Sequence, residues 1–263
     1  MSLRLPVSPS MGAYRVWRRN LTVSRRTMAI SFLPPLLEPV FYLLAFGLGL
    51  GALVGEVGSS GGKVPYVLFI APALLAIQAA NNSFFENTYA SFVRMHYQRT
   101  FDAMLATPLT LDDVITGEIA WGATRAAMAT GLMMAVITPF GLVPSPWVLL
   151  GIPLAFLGGL AFGSLGMIFT AILPTIETFN IPVFLLVTPM FLFSGTFFPL
   201  EQLPAWARLV ADLLPLTHLV VLFRGAAAGT PLPGTLVAIV YLVAFTAVTY
   251  PAAVLLMRKR LIK

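Results

Sequence analysis

Residues 126–176 read AAMATGLMMAVITPFGLVPSPWVLLGIPLAFLGGLAFGSLGMIFTAILPTI, 51 consecutive positions without a charged side chain. As one helix the stretch would run about 75 Å, more than twice the roughly 30 Å of a bilayer's hydrocarbon. It must therefore turn back on itself. Pro139, Pro144 and Pro146 supply the break, because proline lacks the donor a helix interior needs. Two membrane helices joined by a short turn follow.

The rest of the chain has the same character. Of 263 residues, 58% are apolar and 10% charged, against about 25% charged in an ordinary soluble domain. Disorder is excluded by that balance. The absence of cysteine excludes disulfide scaffolds, cysteine zinc sites and thiol nucleophiles. Continuous apolar runs, rather than alternating ones, predict helices and not a barrel. We count six crossings at 30–54, 64–87, 114–140, 147–172, 178–199 and 232–257. The expected fold is all-α and polytopic, one domain over 1–263.

The net charge of +6 does not point to nucleic acid. Arg4, Arg15, Arg18, Arg19, Arg25 and Arg26 precede the first span, and Arg258, Lys259, Arg260 and Lys263 follow the last. With Arg94 and Arg99 they place twelve basic residues on one side, against Lys63, Arg208 and Arg224 on the other. The positive-inside rule then puts both termini in the cytoplasm. The start of the chain does not read as a cleavable signal peptide.

Three segments are not simple crossings. Residues 10–27 carry Val16, Trp17, Asn20, Leu21 and Ser24 on one helical face, with arginines elsewhere. This predicts an interfacial helix anchored by Trp17, Arg18 and Arg19; a mere topology-setting basic flank is the alternative. Residues 88–113 form the longest cytoplasmic loop. Within it Arg99–Thr107 suits a short helix with Phe101, Met104 and Leu105 on one face and an Arg99–Asp102 pair. That apolar face needs a partner protein or the lipid interface. Thr110 and Asp113 form a capping box opening the third span. Residues 200–230, broken by Pro204 and Pro215, read as an outer re-entrant hairpin or a compact lid.

Chemistry is sparse. Gly58–Lys63 imitates a phosphate loop but has Val64 where Ser or Thr is required, so it reads as a turn, and the chain has no ATPase motif of its own. His96 and His218 are far apart, and no metal cluster is expected. Glu38, Glu86, Glu118 and Glu177 map near inner ends of spans. Arg125 lies well inside one, at an insertion cost of about 2.5–3.5 kcal/mol, so a partner is expected. An acid from another helix is the first candidate and Glu118, two turns back, the second. Snorkelling, gating and gripping an anionic head group are its open roles. Gly47, Gly51 and Gly55, and Gly159 and Gly163, have helix-contact spacing.

The layout resembles ABC-2 type permeases, the membrane halves of ATP-binding-cassette exporters, and is most similar to the nodulation-factor exporter permeases (NodJ). The matching stretches are Trp17-Arg18-Arg19-Asn20, Tyr89-Ala90 with Phe92, Arg94-Met95, Gln98 to Leu105, Leu109 to Asp112, Gly117 to Trp121, Ser194-Gly195, Phe198-Pro199, Gln202 to Pro204, Leu214 to Leu216 and His218. The resemblance implies a type V exporter-like architecture in a bacterial inner membrane, with a coupling helix at 97–107. It implies a second permease copy as homodimer partner and two separate ATPase subunits that bind ATP and Mg. Arg99, Thr100, Phe101, Asp102, Met104 and Leu105 would meet the ATPase, the three apolar residues filling a groove on it. Arg125, Glu118 and Glu38 become gating candidates. Phe193, Phe197, Phe198 and His218 would line the path of an amphiphilic, lipooligosaccharide-like cargo, with lipid-facing anchors the alternative for the phenylalanines. Drug efflux is the alternative within the class. An ATP-independent channel or secondary transporter is the one outside it.

Overall fold

The computed structural model describes residues 10–26, 33–59, 62–143 and 145–261. Helix α1 spans Met11–Arg25 and is capped by Ser10, whose hydroxyl accepts from the Gly12 amide at 3.0 Å. Helix α2, Leu33–Tyr42, continues through a π-helical stretch Leu43–Leu50 into a last turn Gly51–Val54. Strands β1 (Glu56–Ser59) and β2 (Gly62–Pro65) then pair antiparallel with Val57 opposite Val64. This corrects the all-α expectation. Gly58 and Lys63 of the glycine-rich segment lie opposite each other in paired strands, where only a turn was expected.

Helix α3 runs Tyr66–Tyr97, and the short α4 covers Thr100–Leu105. Helix α5 is Leu111–Ile137, α6 Pro146–Ile172, α7 Ile176–Phe193, α8 Ala205–Leu213, α9 Pro215–Ala228 and α10 Thr235–Leu261. Helices α8 and α9 meet at 85°, because Pro215 opens α9 and Leu214 between them is extended.

Each of the six expected spans contains helix, but the boundaries move. The largest difference is α3, which passes residue 87 and reaches Tyr97. Much of the expected 88–113 loop is therefore helix, made of π turns at Glu86–Ala90 and Val93–Tyr97. Among the described residues four helices, α3, α6, α7 and α10, are long and apolar enough to cross a membrane, or five if α8 and α9 count as one broken span. Helix α5 is 27 residues long, but Asp112, Asp113, Glu118 and Arg125 dilute its apolarity. On α7 and α10, side chains such as Phe184, Leu185, Val240 and Val248 remain exposed. So much exposed apolar surface needs an apolar surrounding.

The bundle has two ends. One gathers α1, α4, the start of α5 and the end of α10. Asp113 accepts from the Ser10 amide (2.9 Å) and hydroxyl (2.8 Å) while capping α5 with Thr110. Its neighbour Asp112 pairs with Arg258. Two adjacent acids thus hold the two terminal helices to one helix start, where negative charge is favoured. The other end holds the β-hairpin, α8 and α9. Between them α3, α5 and α6 pack closely. A methyl group on Gly159 would lie 2.6 Å from the Ala123 Cα, and one on Gly163 2.7 Å from the Ser83 Oγ. Those two glycines therefore serve contacts inside one chain.

Candidate functional site

Helix α1 docks on α5 through the face its sequence marks. Val16 and Asn20 are buried, and Gly117 leaves room for Val16. Trp17 stacks on Tyr14 at 5.6 Å and donates its indole N–H to Thr124 Oγ1 at 2.9 Å. It is anchored to protein, while Arg18 stays exposed.

That docking delivers Asn20 to a buried charge network. Glu118 on α5 is fully buried and accepts from Asn20 Nδ2 at 2.6 Å and Ser91 Oγ at 2.8 Å. Arg94 on α3 lies 2.7 Å from Glu118 and 2.8 Å from Glu86 on its own helix. Glu86 also accepts from Trp121 Nε1 at 3.0 Å, and its second oxygen meets Arg125 at 2.6 Å. The partner expected for Arg125 is therefore Glu86, from another helix, and not Glu118. Eight residues of plain α-helix would set Glu86 and Arg94 about 80° apart around α3. The wider π turns there bring both to one side, a common use of such turns. Charges so buried stay only because each is paired and hydrogen-bonded.

Beside the network lies a cavity of about 420 Å³ whose lining includes Arg19, Asn20, Tyr89, Gln98, Trp121 and Arg125. Partial burial lowers the Arg19 guanidinium below the ordinary arginine range; Glu118 opposes that shift and Arg94 adds to it. Arg19 donates to Asn20 Oδ1 at 2.9 Å. The sequence contained Glu86, Arg94, Asn20 and Trp121 without marking them as a set. The signal available was Arg125, a mid-helix arginine that requires an acid. Glu38 lies in α2, and its side chain is outside the described residues.

The short helix α4 overturns one expectation. Phe101 is 0% exposed and Met104 is buried, packed with residues such as Val16, Phe92, Val114 and Met257. Their apolar face turns onto the chain's own α1, α3, α5 and α10, so these two do not present themselves to a partner's groove. Leu105 and Thr100 are half-buried. The outward surface is Tyr97, Arg99, Asp102, Ala103 and Ala106. Arg99 adopts the left-handed conformation (φ 52°) at the start of α4 and pairs with Asp102 at 3.4 Å.

At the hairpin end the aromatic candidates separate. Phe197 and Phe198 line a cavity of about 250 Å³, and His218 lines one of about 760 Å³; both cavities include Gly58, Pro199 and Gln202. His218 stacks on Tyr241 at 3.9 Å, with Nε2 2.9 Å from the Asp212 carbonyl. Phe193 instead lies against Trp206 at 6.2 Å.

Comparison with known proteins decides the frame for these sites. A family model described as ABC-2 type transporter matches residues 13–227. The chain belongs to the ABC-2 type transporter family. It is thus a multi-pass membrane component of a transporter. It is 38% identical to Nodulation protein J of Sinorhizobium fredii over 258 residues, covering 98% of this chain and 97% of that protein. Nodulation protein J of Rhizobium meliloti is 39% identical, covering 94% and 92%. The inner membrane transport permease YadH of Escherichia coli is 26% identical, covering 88% and 90%. No solved structure matches the chain. Within the family match fall the charge network and α4, at one end of the bundle, and Phe193, Phe197, Phe198 and His218, at the other.

Proposed function

We propose that the chain is the permease subunit of an exporter driven by ATP hydrolysis in a separate subunit, and that its cargo is an amphiphile of the lipooligosaccharide type. The observation that carries this reading is the ABC-2 family match over most of the chain. The cargo rests on near full-length similarity to two proteins named for nodulation. Two copies of the chain form the pathway, and two ATPase copies hold the ATP and Mg. The end bearing the termini faces the cytoplasm of a bacterial cell, since its basic residues oppose translocation.

The ATPase then meets the outward surface of α4: Tyr97, Arg99, Asp102 and Ala103. Because Phe101 and Met104 are sunk into the chain's own core, α4 is fixed to its neighbours, and a push on it is passed to α3 and α5 together. The Glu86–Arg94–Glu118 network joins those helices to α1. Movement of α3 against α5 is therefore felt by the surface helix as well. Phe193, Phe197, Phe198 and His218 at the opposite end serve the exit side.

The test is capture of a co-expressed neighbouring ATPase by tagged permease in gentle detergent. Wild type is expected to bring the ATPase down, and the exposed double variant Arg99→Glu/Asp102→Arg to lose it while remaining folded. Folded permease that captures no ATPase in several detergents overturns the reading.

A further inference from the structure

The cavity beside the charge network has an unbalanced wall. Among the described residues, Arg19, Arg94 and Arg125 line it against the one carboxylate of Glu86. The other acid of the network, Glu118, is fully buried. The guanidiniums are also incompletely used. Arg125 meets Glu86 through Nη1, and Arg19 meets Asn20 through Nη1. Their remaining N–H groups have no protein acceptor among the described residues. Arginine forks of this kind match the oxygens of a phosphate.

The cavity is large enough for such a group, at about 420 Å³, within the usual range of ligand sites. It is walled by three separate elements, α1, α3 and α5, so a bound anion would bridge them. The exposed side of α1 adds Arg15, Arg18 and Arg25, which draw anions toward the cavity from a charged surface. Arg19 and Arg94 also repel each other across this space, a repulsion that an anion between them relieves.

We propose that this cavity binds a phosphate group of net negative charge, which a zwitterionic choline head group lacks, with Arg19 and Arg125 supplying the free donors, and that occupancy ties α1 to α3 and α5. The site is separate from the cargo path at the hairpin end. It requires neither the ATPase nor a particular cargo.

The experiment uses the full chain in lipid nanodiscs. Amide hydrogen exchange over residues 14–25 and 86–98 is read in phosphatidylcholine alone, with phosphatidylglycerol added, and with inorganic phosphate against chloride at equal ionic strength. Added phosphatidylglycerol is expected to protect both segments. Arg19→Gln is expected to weaken that effect about tenfold or more, as for one lost charge-assisted hydrogen bond. Each variant's response is measured against its own exchange in phosphatidylcholine. Arg18→Gln, on the exposed face, is expected to leave the site's response in place. Protection by inorganic phosphate alone would support the same site with a soluble ligand. Equal exchange under all conditions overturns the proposal, as does a lipid response that Arg19→Gln and Arg18→Gln reduce alike. If exchange is silent while the ATPase is still captured, this site falls and the exporter reading stands.

Discussion

Glu86 on α3 receives Arg125 from α5 at 2.6 Å, with the carboxylate almost wholly buried. Arg94 shares the same acid but also pairs with Glu118, so neutralising Glu86 strands the Arg125 guanidinium and takes one of Arg94's two acids. Glu86→Gln is therefore expected to destabilise the chain by about 3–5 kcal/mol, the usual result of breaking a buried pair from one side. Thermal unfolding in detergent followed by tryptophan fluorescence measures this. In a cycle with Arg125→Gln the two changes should be non-additive by at least about 0.5 kcal/mol. Strict additivity would show that the pair is not coupled.

Asp112 and Asp113 divide their work between the two ends of the chain. Asp112→Asn removes the partner of Arg258 and should speed amide exchange in the last turns of α10. Asp113→Ala removes the acceptor of the Ser10 amide and hydroxyl and should loosen the start of α1. Each variant is expected to spare the other's helix, because the two acids share no bonded partner. Exchange that rises at both helices in either variant would mean that the helix start frays as one unit.

What the sequence made legible follows from what is local. Thr110 and Asp113 are three residues apart, and the capping box forms as their spacing demands. The face of α1 was visible because helical periodicity sorts Val16 and Asn20 from Arg15 and Arg18. It was silent on whether that face meets lipid or protein, and α5 is what it meets. The Glu86–Arg125 pair was not legible as a pair, since it joins two helices. The reach of α3 to Tyr97 was hidden because Glu86 and Arg94 interrupt the apolar run, and nothing local announces a π turn. Phe101 shows the same limit, since a periodic apolar face says that something covers it and not what.

Phe101 and the Arg99–Asp102 turn should separate in experiment. Phe101→Ala opens a cavity in a packed cluster and is expected to cost about 3–5 kcal/mol. Arg99→Glu and Asp102→Arg change exposed side chains and should each stay within about 0.5 kcal/mol of wild type. Unfolding midpoints measured in one detergent compare the three. A Phe101→Ala protein as stable as wild type would place that ring outside the core and restore it as a contact for a partner.

Two glycines on packed helices should respond in opposite directions to the same added methyl. At Gly159 the new carbon would lie 2.6 Å from the Ala123 Cα and 3.1 Å from the Ala126 Cβ, so α5 and α6 must separate. Gly159→Ala is expected to cost about 1–3 kcal/mol, as overpacking does. Gly131, in the interior of α5, has nothing within 4 Å of the corresponding position. There the methyl meets open space and the helix loses its most flexible residue, so Gly131→Ala should stabilise by up to about 1 kcal/mol. Both are read from the unfolding midpoint of the purified chain. Destabilisation by Gly131→Ala in a preparation that is dimeric, but not in a monomeric one, would place that face of α5 against a second copy.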